Sequence, residues 1–91
     1  MSVTVRIPTQ LRALTGGAGE VPVPSGTVRD VLASADGLYP GLATRLLDEN
    51  GSLRRFVNVF VADEDIRFLD GLETKVADGQ TLSVVPAVAG G

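Results

Sequence analysis

The 91-residue sequence contains no cysteine, no histidine and no tryptophan. Without cysteine the chain has no disulfide framework, no thiolate nucleophile and no Cys-type structural zinc site. Without histidine it lacks the side chain most often used as a general base and as a transition-metal ligand. These absences argue against a self-contained catalyst, so we expect a protein that is not an enzyme and that has no metal site and no bound cofactor of its own.

Basic charge and long apolar runs are also scarce. Eight Lys and Arg residues are outnumbered by eleven Asp and Glu residues, which gives a net charge of -3. Nucleic-acid-binding proteins usually concentrate positive charge on one face, whereas here only Arg54 and Arg55 are adjacent. No apolar run approaches the ~20 residues that a membrane span needs, and the first residues lack the pattern of a signal peptide. We therefore expect neither nucleic acid nor a membrane as a partner, and a cytoplasmic location.

Apolar residues alternate with polar ones in two short segments near the start of the chain. This period of two predicts two half-buried strands that form a hairpin. A glycine-rich loop, residues 15–19, connects them, and Pro22 and Pro24 suit a strand at the edge of a sheet. The alternating apolar residues are Val3, Val5, Ile7, Val21 and Val23.

The segment after the hairpin changes to a helical period. Thr27 is a suitable N-cap, and Asp30 three residues later is placed for a capping box. Gly37 stands where a left-handed C-terminal cap is expected. A second, shorter helical pattern follows from Leu42 and stops near Asn50. The apolar stripe of the first helix consists of Val28, Val31, Leu32 and Ala35.

The later part of the chain predicts three more strands. Residues 56–61 give the strongest signal because they are rich in β-branched and aromatic side chains. A turn at Asp63 and Glu64 leads into a short strand, a turn-rich stretch follows, and Pro86 closes the last strand. These later segments are residues 65–68, 69–79 and 81–85.

The resulting order, β-β-α-(α)-β-β-β, predicts an α+β domain over residues 1–86. We expect a mixed sheet whose apolar face packs on one main helix. If the first strand pairs in parallel with the last, the arrangement is a β-grasp (ubiquitin-like) fold, although the residue pattern alone does not determine this topology.

The sequence ends in Ala87, Val88, Ala89, Gly90 and Gly91. Five extended residues reach about 16 Å, and we expect the segment 87–91 to project from the last strand as a flexible tail. Its side chains become smaller toward the end, and glycine fits a channel that would exclude alanine because it has no Cβ. Such a tail is suited to bring its terminal carboxylate into another protein's active site. A frayed end without function is the alternative interpretation.

Several segments carry a resemblance to a known family. They are residues 3–5, 7–9, 15–17, 55–58, 63–68, 77–79 and 86–91. Through them the whole chain resembles the ThiS/MoaD family of ubiquitin-like sulfur carrier proteins. The terminal Ala-Gly-Gly is shared across that family, whereas the preceding Pro-Ala-Val and the Phe-Val-Asn segment are most similar to its CysO type.

The resemblance implies a reaction cycle at Gly91, with Gly90 and the residues before it threading into partner active sites. An E1-like enzyme would adenylate the Gly91 carboxylate with ATP, and sulfur would then convert it to a thiocarboxylate. In the CysO branch, a PLP-dependent cysteine synthase uses this sulfur, and a zinc metallopeptidase releases the cysteine. ATP, PLP and zinc would thus belong to partner enzymes rather than to this chain.

The resemblance also implies that the open face of the sheet meets the adenylating enzyme. If the valines of strand 56–61 face the helix, Phe60 faces the open side, and Val85 and Pro86 lie beside the start of the tail. We expect these three residues at the partner interface. In the alternative interpretation, Phe60 packs against the turn-rich stretch.

Other functions stay open at this point. The chain also fits a carrier that delivers sulfur to another acceptor, such as molybdopterin, thiamin, thiolated tRNA or a thiosugar, through another sulfur-accepting synthase. The chain also fits a protein modifier in which Gly91 forms isopeptide bonds, with Lys75 or the amino terminus as the sole acceptors on the chain itself. A regulatory β-grasp binding module with an incidental tail is the third class.

Overall fold

The computed structural model describes residues 2–55 and 57–86, which form seven strands and two α-helices. The strands are β1 (Ser2–Arg6), β2 (Glu20–Pro24), β3 (Gly26–Thr27), β4 (Val57–Val61), β5 (Glu64–Asp65), β6 (Lys75–Val76) and β7 (Thr81–Pro86). The helices are α1 (Val28–Leu38) and α2 (Leu42–Leu46), and 3₁₀ segments cover Thr9–Thr15, Ile66–Phe68 and Gly71–Glu73. No helix within these two described ranges has the length and apolar character needed to cross a membrane.

Five of the strands form one mixed sheet in the order β2-β1-β7-β4-β5. The first and last strands, β1 and β7, pair in parallel, and the other neighbours pair antiparallel. This pairing confirms the predicted β-grasp fold. The edge position of β2 agrees with its two prolines, which cannot donate to a neighbouring strand.

A second, two-stranded sheet joins β3 to β6. Each strand contributes only two residues, Gly26–Thr27 and Lys75–Val76. A pattern of alternation cannot be recognised over two residues, which is why β6 lies within the stretch predicted to be rich in turns. This small sheet fixes the chain beside the start of α1, where the Val28 amide donates to the Thr74 carbonyl at 2.8 Å.

The core lies between the large sheet and α1. The predicted stripe of α1 is buried, with Val28, Val31 and Ala35 having no exposed surface. Full burial of each aliphatic side chain of valine size or larger contributes roughly 1.5–3 kcal/mol before conformational entropy is subtracted. The residues on the sheet side of the same core are Val3, Val5, Ile7, Val57, Val59, Val61, Leu82 and Val84.

The capping box predicted at the start of α1 is present. The Thr27 hydroxyl accepts a hydrogen bond from the Asp30 amide at 3.1 Å, and the Asp30 carboxylate accepts one from the Thr27 amide at 3.2 Å. Both amides belong to the helix end, where no intrahelical partner is available.

The predicted C-terminal cap at Gly37 is wrong. The helix continues through Gly37 to Leu38, and the Tyr39 amide still donates to the Ala35 carbonyl. The left-handed glycine is Gly41, with a φ of 103°. The chain turns there because the Asp36 carboxylate accepts hydrogen bonds from the amides of Gly41 and Ala43, and this moves the turn to the start of α2.

The segment after β4 also differs from the prediction. The turn lies one residue earlier, at Ala62 and Asp63, β5 is only Glu64–Asp65, and residues 66–68 form a 3₁₀ turn instead of a strand. The Asp65 carboxylate accepts from the Arg67 amide at 2.8 Å, which caps the 3₁₀ turn. This cap directs Ile66 into the core and ends the strand early.

Candidate functional site

The face of the large sheet that points away from α1 is uncovered, and we refer to it as the open face. Along β4, the three valines are buried, whereas Asn58 and Phe60 lie half-buried on the opposite side. Along β7, Ser83 is half-buried and Val85 is 45% exposed. The open face is therefore built from the residues that alternate with the core residues of the same strands.

Phe60 and Val85 line the same shallow groove of about 450 Å³ on the open face. Phe60 lies between its cross-strand partners Ser83 on β7 and Asp65 on β5. Because Phe60 alternates with the buried valines of β4 and lines this groove, it faces the open side of the sheet. The complete lining is Arg6, Ile7, Pro8, Phe60, Asp63, Ser83, Val84 and Val85.

Pro86 lies at the end of β7, opposite Val57 and outside the groove lining. It belongs to β7, so the strand is one residue longer than predicted. The structure therefore brings Phe60 and Val85 together and places Pro86 at the strand end. Their role as partner contacts stays a prediction.

The groove has charges of both signs near one end. Arg6 and Glu20 are 3.8 Å apart, with more than half of each side chain exposed, and Asp63 lines the groove from the β4–β5 turn. An exposed pair of this kind contributes about 0–1 kcal/mol to stability. The pair therefore contributes little to the stability of the fold.

A hydrogen-bond network occupies the other end of the open face. Arg67 donates from Nη2 to the Val57 carbonyl at 2.7 Å and from Nη1 to the Asn58 side-chain oxygen. The Arg67 guanidinium also lies 3.8 Å from the Asp65 carboxylate. Because Val57 and Asn58 are the cross-strand partners of Pro86 and Val85, this network sits beside the last two residues of β7.

Sequence reasoning missed this network, as well as Arg6 and Asp63 in the groove. Arg67 is nine and ten residues from its partners Asn58 and Val57, so no local spacing rule connects them. One signal was present, namely that Asn58 is a polar residue within a strand of valines. A strand-centre amide on the open face needs hydrogen-bond partners, and Arg67 provides one.

The predicted sulfur-bearing and threading residues lie outside the described part of the chain. They are Ala87, Val88, Ala89, Gly90 and Gly91. Within residues 2–55 and 57–86, no group of three or more acidic, Cys or His side chains is placed to hold a metal ion. What the described residues provide is a folded domain whose last strand leads directly into the tail.

Comparisons with known proteins agree on one family. The model of the ThiS family matches residues 5–91. The sulfur carrier protein CysO of Mycobacterium tuberculosis is 47% identical over an alignment that covers all of both chains. A crystal structure of the Amycolatopsis orientalis BexX/CysO complex contains a chain that is 48% identical, with a TM-score of 0.92 over 98% of this chain and 99% of that one. The small archaeal modifier protein 3 of Haloferax volcanii is 46% identical over 71% of this chain and 70% of its own length.

Proposed function

The chain belongs to the ThiS family, and we propose that it is a sulfur carrier protein that holds sulfur as a thiocarboxylate on Gly91. The observation that carries this proposal is the 47% identity to a sulfur carrier protein along the full length of both chains. The β-grasp domain supports it because the last strand, β7, is held between β1 and β4 and leads into the tail at Pro86.

The proposed activation takes place in two steps on an E1-like enzyme. The Gly91 carboxylate attacks the α-phosphorus of ATP, and pyrophosphate leaves, which produces an acyl-adenylate. A sulfur nucleophile supplied to that enzyme then attacks the acyl carbon, and AMP leaves with the bonding electron pair. In this scheme the chain donates the carboxylate and a docking surface, and the partner enzyme performs the chemistry.

The lack of cysteine fits this way of carrying sulfur. A cysteine thiol has a pKa of about 8.5 and is mostly protonated at neutral pH, whereas a thiocarboxylic acid is a stronger acid and is ionised there. A terminal thiocarboxylate is therefore a ready sulfur nucleophile without any thiol side chain in the carrier.

We propose cysteine biosynthesis as the destination of the sulfur. The thiocarboxylate would attack an aminoacrylate on a PLP-dependent cysteine synthase, the adduct would rearrange to an amide, and a zinc metallopeptidase would hydrolyse it to release cysteine and free Gly91. The resemblance to the CysO type supports this acceptor. Because ATP and PLP-dependent enzymes act in the cytoplasm, we propose the same location for the carrier.

Intact-protein mass spectrometry tests the carrier function. The full chain is incubated with ATP, sulfide and the E1-like enzyme of its own organism, and we expect the mass increase of one sulfur-for-oxygen exchange. A chain that lacks Gly91 is the control, and it should show the same thermal unfolding and no mass change. An unchanged wild-type mass, or an exchange that persists without Gly91, contradicts the proposal. Adding the cysteine synthase should then produce a carrier-plus-cysteine mass, which tests the acceptor.

A protein modifier is a second candidate, and the 46% identity to a small archaeal modifier protein favours it. In that function Gly91 forms isopeptide bonds with lysine side chains of target proteins. Higher-mass conjugates that carry the tail glycines on a target lysine, and that vanish without Gly91, would support the modifier. Free thiocarboxylate together with no conjugates supports the carrier.

A further inference from the structure

Phe68 is the most solvent-exposed large apolar side chain in the described part of the chain. It is 87% exposed, and Leu69 beside it is 39% exposed. Two residues earlier, Ile66 is almost completely buried. Burying a phenyl ring away from water releases more free energy than burying most other side chains. A ring held outside the core at a defined position is therefore a candidate anchor for a partner.

The backbone that carries Phe68 is held by hydrogen bonds. The Asp65 carboxylate accepts from the Arg67 amide at 2.8 Å, and the Leu69 amide donates to the Ile66 carbonyl at 3.0 Å. The Arg67 side chain binds the Val57 carbonyl of β4 at 2.7 Å. The 3₁₀ turn is thus closed by hydrogen bonds on both sides of the ring, and Arg67 ties it to β4. An anchor that is already ordered loses little conformational freedom on binding, which favours affinity.

The charge around the ring is negative. Glu64 and Asp70, which stand on either side of the 3₁₀ turn in the chain, are exposed, and neither forms an ion pair with a basic side chain of residues 2–55 or 57–86. The nearest cation along the chain, Arg67, is already engaged by Asp65 and the two β4 groups. The surface that surrounds the ring is therefore complementary to a basic rim.

The ring also lies close to the start of the tail. Phe68 follows β5, which pairs with β4, and β4 pairs with β7. Two strand spacings separate β5 from β7, or about 10 Å. Any enzyme that holds the tail as it leaves β7 therefore has the Phe68 turn within reach of the same surface.

We propose that Phe68 inserts into an apolar socket, rimmed by basic side chains, on the adenylating enzyme that receives the tail. This proposal rests on the proposed carrier function. It adds a contact at the sheet edge, separate from the groove that Phe60 and Val85 line.

Steady-state kinetics of thiocarboxylate formation test the anchor. Phe68→Ala is expected to lower kcat/KM for the carrier by about ten- to a hundredfold, mainly through KM, which is what burial of one phenyl ring is worth. Phe68→Leu should recover part of the loss. The matched control is Leu38→Ala, because Leu38 is also exposed (58%) but ends the helix on the opposite side of the sheet. Its kcat/KM should stay within about twofold of wild type, and all variants should unfold at wild-type temperature.

Ionic strength tests the basic rim. The wild-type kcat/KM should fall as salt is raised, because screening weakens the attraction between the acidic turn and the enzyme. An E64Q/D70N variant should have a lower kcat/KM at low salt and a flatter salt dependence. A wild-type rate that does not respond to salt overturns the basic rim.

The outcomes separate the two proposals. If the wild-type chain is not thiocarboxylated, the carrier function itself fails. If the wild type reacts and Phe68→Ala matches it within about twofold, the anchor is wrong and the carrier function stands. Phe68→Ala could instead leave kcat/KM unchanged and abolish self-association in sedimentation. In that case the Phe68 ring packs against a second copy of this chain, and the proposal is also overturned.

Discussion

Val5 of β1 and Leu82 of β7 are paired side by side in the parallel part of the sheet, and neither has any exposed surface. They come from opposite ends of the folded domain, so their contact closes the sheet across almost the whole length of the chain. The strand that carries the tail is therefore central, with a neighbour on each side. The residues that carry the proposed chemistry therefore follow the middle strand of the sheet in the chain.

Leu82→Ala is expected to lower the free energy of unfolding by about 2–5 kcal/mol, because it removes buried methyl groups and leaves a cavity beside Val5. Val85→Ala on the same strand is the control, and since that side chain is 45% exposed, its change should stay within about 0.5 kcal/mol. Urea unfolding followed by circular dichroism measures both. Equal effects of the two substitutions would contradict the placement of the core.

Gly37→Ala is expected to raise the free energy of unfolding by about 0.5–1 kcal/mol, because Gly37 is within α1 and a Cβ there contacts nothing within 4 Å. Gly41→Ala is the contrast. With a φ of 103°, alanine there is strained, and a loss of about 1–2 kcal/mol is expected. Thermal and urea unfolding measure both changes in stability. A loss of stability in Gly37→Ala would support a left-handed cap at Gly37, as predicted from the sequence, and would contradict the helical conformation.

The two-residue turn between β4 and β5 holds Ala62 and Asp63 at φ values of 51° and 71°. Turns of this kind favour Asn-Gly, because both positions need a positive φ. The double substitution Ala62→Asn with Asp63→Gly should therefore raise the free energy of unfolding by roughly 1 kcal/mol. Ala33→Gly, on the exposed side of α1, is the control and should lower it by about 0.5–1 kcal/mol. A loss of stability in the double variant would argue against the left-handed turn.

Val85→Lys tests the predicted interface on the open face. The new side chain extends into solvent, so thermal unfolding should be unchanged, but a partner that covers this face must then bury a charge. We expect thiocarboxylate formation by the E1-like enzyme to slow by about tenfold or more. Leu38→Lys places the same charge on α1 and should have no such effect. If both variants react at the wild-type rate, the open face around Val85 is not the contact.

Most of the fold was predictable from local patterns. The alternating valines of β1, β2 and β4 and the stripe of α1 identify their own buried faces, because burial requires the same periodicity as the backbone. The capping box was predictable for a similar reason, since Thr27 and Asp30 act over one turn. The tail glycines were recognised through their resemblance to a family, and their roles stay predictions.

What the patterns missed depends on contacts between distant parts of the chain. Gly37 is the expected cap because no sequence pattern shows that the Asp36 carboxylate accepts hydrogen bonds from the amides of Gly41 and Ala43. These bonds move the turn from Gly37 to Gly41. Residues 65–68 were assigned as a strand because the cap that Asp65 provides is not visible as alternation. Two-residue strands such as β3 and β6 carry too few residues for any pattern.

The sequence by itself determined most of the buried residues and the class of fold that they build. Only the tertiary structure decided which exposed residues share a surface. The groove around Phe60 exists because β1 and β7 pair in parallel, and the turn that carries Phe68 is joined to β4 by the Arg67 side chain. Burial follows from local periodicity, whereas a surface forms from segments that only the completed sheet brings together.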